Sequence, residues 1–179
     1  MAYAGFGAYS RVMIREKKCL AVLSISRYSA QLGEAFRKQA EIDIANGYEV
    51  NLSILLIHEE GELHNISRAM EDQAFLGNHI KSDVLVALRE EHLRLMGLYV
   101  TQIQAIAEEL GVKCTKVEGD GDFTECVLQH VREKSADVIF LVQDDRPFIL
   151  RFLLGSQVDR AVQLITKEGK KPILVQRGS

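Results

Sequence analysis

Short apolar runs alternate along this chain with longer stretches in which apolar positions recur at helical spacing. Cys19-Leu20-Ala21-Val22-Leu23 is unbroken between Lys17-Lys18 and Ser24-Ile25-Ser26, which fits a strand buried on both faces. Over residues 29–46 the period changes: Leu32, Ala35, Phe36, Ala40 and Ile44 make one stripe, and Asn46-Gly47 ends it. Val50 to Ile57 (VNLSILLI) is the second strand. Residues 59–81 are polar and ambiguous, with a helical stretch near Ile66–Leu76. Ser82-Asp83 is placed to cap a long helix running to about Leu110. Its stripe is Leu85, Leu88, Leu95, Tyr99, Ile103, Ile106 and Leu110, and Gly111 stops it. Val112–Glu118 (VKCTKVE) alternates as a third strand, Gly119-Asp120-Gly121-Asp122 reads as a turn, and Phe123–Lys134 as a short helix. Asp137–Val142 (DVIFLV) is a fourth buried strand. A helix over 151–167, Gly169 and a last strand at Pro172–Gln176 (PILVQ) complete the pattern.

Five strands, each separated from the next by helix, specify a five-stranded parallel sheet with helices on both faces, a doubly wound, Rossmann-like α/β domain. It is expected over residues 18–179, with residues 1–17 as an N-terminal extension. A chain of 179 residues suits one such domain.

Charge and composition narrow the function. The net charge is −3, which argues against the basic face of a nucleic-acid binder. No apolar run approaches the roughly 18 residues that span a bilayer, and MAYAGFGAYSRVMIREKK has no basic start before its apolar stretch. Cys19, Cys114 and Cys126 show no CxxC spacing, so reduced thiols and a cytoplasmic location are expected. His58, His64, His79, His92 and His130 fall in no ligand spacing, and no metal is expected.

Ligands of open parallel sheets bind beyond the carboxyl ends of the strands, where strand order reverses. Those ends here are Ser24-Ile25-Ser26, Ile57-His58, Glu118-Gly119 and Val142–Asp145. Gly155 and Ser156, at the next helix start, offer backbone amides and a hydroxyl to a phosphate. The alternative gives Gly155 a packing role and Ser156 the N-cap. Asp144-Asp145 is an adjacent acidic pair at a strand end, suited to magnesium or acid–base work, or to no more than solvated loop charge. Gly5-Phe6-Gly7 begins a GxGxxG, but no strand precedes it and no glycine completes it. No activated nucleophile is evident, and no catalytic residue is assigned.

The stretch SADVIFLVQDDRPFILRFLLGSQVDRAVQLITKEGKKPILVQ resembles the universal stress protein family. There a strand beginning Ala-Asp leads to G-x-x-G-x9-G-S, then a helix, then P-V-L-V-V. Ala136-Asp137, Leu153-Leu154-Gly155-Ser156 and Pro172-Ile173-Leu174-Val175 stand at the matching spacings. KVEGDGDFTECVLQHV is similar to the family's V-x-x-G-D-P stretch and its helix, and the likeness runs from about Lys18 to Gln176. It implies an adenine nucleotide alpha-hydrolase-like sandwich, non-enzymatic action in stress response or regulation through protein partners as yet unknown, and a homodimer paired through the last strand, Pro172 to Gln176. It also implies a crevice at Ser24, Ile57, Val142, Asp145, Arg146, Gly155 and Ser156. The family's first two motif glycines fall at Val142 and Asp145, and the acid ending its first strand falls at Ser24. Side chains there block close backbone approach, and Asp144 and Asp145 set carboxylates against a triphosphate. No cofactor is therefore expected. The alternatives are ATP with magnesium, aided by Arg146 or Arg151, or another small anionic metabolite in the same crevice.

Overall fold

The computed structural model describes residues 15–59, 78–143 and 156–177. Its elements are β1 (Arg15–Ser24), α1 (Gln31–Ala45), β2 (Tyr48–His58), α2 (Asn78–Glu109), β3 (Lys113–Asp120), α3 (Phe123–Glu133), β4 (Val138–Val142), α4 (Gln157–Lys167) and β5 (Lys171–Val175). The five strands form one parallel sheet in the order β3-β2-β1-β4-β5. Strand order thus reverses between β1 and β4, the place where the carboxyl ends of a doubly wound sheet open.

Alternation along β1 divides the core. Cys19, Ala21 and Leu23 point to one side, where Leu32, Phe36 and Ala40 of α1 meet Val100, Ile103 and Ile106 of α2. Leu20 and Val22 point to the other, under Phe123 and Val127 of α3 and Val158 and Ile165 of α4. Burial on both faces is why this strand reads as an unbroken apolar run.

Several boundaries differ from the sequence expectation. Arg15–Lys17, counted with the N-terminal extension, pair with Tyr48–Val50 and belong to β1. Arg15 and Glu16 are exposed and Lys17 lies over the Tyr48 ring, so this part of the ladder leaves no apolar signal. The helix α2 starts at Asn78, ahead of the cap expected at Ser82-Asp83, both of which are exposed helical residues. The expected turn at Gly119-Asp120 is the end of β3. The helix expected from residue 151 is described from Gln157, because Ser156 is extended and caps it. Ile44 and Leu88, assigned to inward stripes, are 40% and 38% exposed. The stretch Ile66–Leu76, residues 1–14, Asp144, Asp145, Arg146, Arg151 and Gly155 lie outside the described residues.

Candidate functional site

At the end of β1 the chain doubles back. Ser24 N–H donates to the Arg27 carbonyl at 3.0 Å, and Arg27 N–H donates to the Ser24 carbonyl at 3.1 Å. This tight turn carries the Arg27 side chain over the strand ends, where it is 6% exposed. Arg27 Nη1 lies 2.7 Å from both carboxylate oxygens of Glu59, which follows the last residue of β2. Arg27 Nη2 donates to Gln157 Oε1 at 3.1 Å, and Gln157 Nε2 donates to Asp122 Oδ2 at 3.0 Å. The guanidinium also lies over the Phe123 ring, 4.5 Å from its centroid, a favourable cation–π placement. One side chain therefore ties β1, β2, α3 and α4 together at the carboxyl ends of β1 and β2.

Ser24 is fully buried on the α3/α4 side of the sheet, and its hydroxyl has no hydrogen-bond partner among the described residues. Ile57, its register partner on β2, is core on that same side. Val142 is core on the opposite side, under α1 and α2. Ser156 is buried and its Oγ accepts from Asp159 N–H at 3.3 Å, so its hydroxyl works as the N-cap of α4. Of the residues singled out in the sequence, Ser24 and Ile57 stand together, Ser156 begins the helix that brings in Gln157, and Val142 faces away.

Sequence reasoning missed Arg27 and Glu59. Their signal is positional: with Ser24 paired to Ile57, the two opposite charges fall three and two residues beyond that pair. In the sequence Glu59 opens the polar, ambiguous stretch 59–81.

None of the three thiols is activated. Burial pushes the Cys19 thiol up to about 12 and raises Cys114. Burial, then the carboxylates of Asp120 and Glu133, raises Cys126. Its Sγ lies 3.8 Å from His130 Nδ1, but that nitrogen is also 2.9 Å from the Cys126 carbonyl. When it donates there it has no lone pair for the thiol proton. His58 instead faces Glu118, and His92 faces Tyr28. No group of three or more His, Cys, Asp or Glu side chains fit to hold a metal ion occurs among the described residues.

No family model matches this sequence, and no curated protein matches it. Solved structures do. A universal stress protein in complex with cAMP aligns over 89% of this chain and 96% of its own, at 12% identity and a TM-score of 0.53. The chain has the universal stress protein fold. A hypothetical protein whose biochemical function was assigned from its structure aligns over 91% of this chain and 97% of its own, at 16% identity and a TM-score of 0.54. Within the universal stress protein fold, the sheet order places the switch point between β1 and β4, and in this chain Arg27 and Glu59 meet over the neighbouring ends of β1 and β2.

Proposed function

We propose that this protein is a non-enzymatic, cytoplasmic regulator of the universal stress protein type, self-associating through β5, acting through protein partners and not using ATP. The arrangement that supports this most is the buried Arg27–Glu59 pair on the Phe123 ring. It sets the chain's own charges over the carboxyl ends of β1 and β2, where a nucleotide needs open space and free donors. Ser24 adds to it: a neutral, buried hydroxyl stands where the resemblance places an acid. The residues present therefore fit ATP with magnesium poorly. All three cysteines are free thiols, consistent with a reducing compartment. No helix of the described residues is long and apolar enough to cross a membrane.

A second reading, a nucleotide-binding regulator, is favoured by one observation: the similar structure with cAMP bound. Calorimetric titration of purified protein with ATP, with and without magnesium, separates the two, after mass spectrometry has checked for carried-over nucleotide. We expect no saturable heat at millimolar ATP. Micromolar binding would replace the first reading by the second.

A further inference from the structure

Toward the amino ends of the strands, the sheet face under α3 turns polar. Val22, Leu55 and Val117 stand in register across β1, β2 and β3 and pack into the core on that face. Two residues earlier on each strand the row is Leu20, Ser53 and Thr115, and two earlier again it is Lys18, Asn51 and Lys113. Side chains alternate between faces along a strand, so all three rows point the same way. The polar side chains of the two outer rows, with Glu133 and Lys134 from the end of α3 and exposed Glu16, line a hollow of about 420 Å³. Cys19 and Leu52 border it but turn their side chains into the core on the other face.

The outermost row sets two ammonium groups on either side of an amide. At the usual spacing of strands the Lys18 and Lys113 backbones stand about 10 Å apart. The lysine ion pairs among the described residues join Lys116 to Glu118 and Lys170 to Asp137, and neither uses Lys18, Lys113 or Lys134. Three positive charges therefore border one hollow with no carboxylate held against them. We propose that this hollow binds a small phosphate monoester of a polyol, its phosphate seated between Lys18 and Lys113 on the Asn51 amide. A phosphate dianion matches paired ammonium groups. Ser53 Oγ and Thr115 Oγ1 lie 3.2 Å apart, and a bond between two hydroxyls uses one proton, so the other O–H is left to donate. Glu16 and Glu133 repel a second acid but accept from neutral hydroxyls, which makes the rest of the ligand a polyol. One oxygen of Glu133 already accepts from Gln129 Nε2 at 2.8 Å, and the other remains. No aromatic ring lines the hollow among the described residues, so a nucleobase has nothing to stack on. The hollow lies at the opposite end of the sheet from the Arg27–Glu59 pair, and its ligand goes beyond the function proposed above.

The test titrates the isotopically labelled full chain with glycerol phosphate, with inorganic phosphate and with glycerol as the uncharged control, and amide resonances report where each binds. The expected result is saturable binding of glycerol phosphate in the millimolar range or tighter, with shifts centred on Lys18, Asn51, Lys113 and Lys134. Glycerol should not bind. Weaker binding of inorganic phosphate supports the polyol, and equal binding overturns it. Lys113→Gln should weaken binding about fivefold. Lys116→Gln, the same loss of charge on the opposite face of β3, should leave it unchanged. Asn51→Asp puts an anion between the two lysines: binding should be lost while the ligand-free protein melts no lower than wild type. If that variant does not fold, Lys113→Gln, an exposed position, decides alone. No saturation with either phosphate overturns the site. So do shifts confined to the carboxyl ends of the strands, equal weakening by Lys116→Gln, or undiminished binding by a folded Asn51→Asp protein. ATP binding at the carboxyl ends would remove the function proposed above and leave this site standing.

Discussion

At the residue scale, two buried side chains carry the sharpest consequences. The Ser24 hydroxyl is taken out of water at 0% exposure without a partner among the described residues, a state that costs about 1–3 kcal/mol. Ser24→Ala should therefore leave stability unchanged or raise it by about 1 kcal/mol, as read from urea midpoints. A loss above that size would mean the hydroxyl has a partner in solution. Cys19 behaves through protons. An unfolded chain ionises this thiol near 9.0, whereas the folded one holds its proton to about 12. The folded state binds the extra proton in between, so its contribution is complete below pH 9.0 and is lost as pH climbs toward 12. The loss should be about 1.4 kcal/mol per pH unit, and Cys19→Ala should flatten that part of the stability curve relative to wild type. Equal slopes in the two proteins would refute the shifted thiol.

The element scale is where sequence and structure can be weighed against each other. Apolar runs such as Cys19–Leu23 and Val138–Val142 were legible as central strands because burial on both faces leaves no polar residue inside them. Strand ends were not: Arg15–Lys17 and Gly119-Asp120 pair through backbone that any residue supplies. Gly119 reads as a turn residue, yet it sits in β3 because a Cβ there would collide with Cys126 Sγ, so α3 can press closely on the strand. Ser24 as a strand end and Ser156 as a helix start were legible from the pattern of elements. The Arg27–Glu59 pair was not, because it joins residues 32 apart whose meeting depends on strand register. Helix ends show the local chemistry most plainly. Gly47, Gly111 and Gly169 end α1, α2 and α4 in left-handed conformation. At the end of α3 that position is Ser135, at φ 51°. Ala136 N–H bonds back to the Val131 carbonyl and Ser135 N–H to that of Arg132, the double bond of a Schellman motif. A left-handed serine is strained by about 1–2 kcal/mol, part of which glycine gives back in unfolded-chain entropy. Ser135→Gly should accordingly raise stability by up to about 1 kcal/mol, measured as a shift in thermal midpoint; a lower midpoint would argue against strain at this end.

For the whole molecule, the two sheet edges are unlike. The β3 edge carries exposed Lys113, Lys116 and Glu118, charges that discourage strand addition. At the β5 edge, Leu174 is 42% exposed and nearby Ile42 of α1 is 56% exposed. They line a groove of about 520 Å³ between α1 and β5. This asymmetry supports self-association through β5. Introducing charge there, Ile42→Glu with Leu174→Glu, should convert a dimer to a monomer in sedimentation velocity with little change in thermal midpoint, since both side chains face outward. A wild-type protein that sediments as a monomer at all concentrations would remove the dimer from the reading.

The strand order also has a consequence for synthesis. Of the five described strands the first to leave the ribosome, β1, is the middle of the sheet, with β2 and β3 on one flank and β4 and β5 on the other. A nascent chain that has reached Asp120 holds three strands able to pair, while the other flank of β1 waits for Val138, which lies opposite Cys19 and 119 residues later. During that interval an apolar strand stands open on one side. Pairings this distant in sequence form late, and open strand edges are where unfinished chains join one another. Slow translation between β3 and β4 would lengthen that exposure, making the cell's need for chaperones greatest before the C-terminal third has emerged.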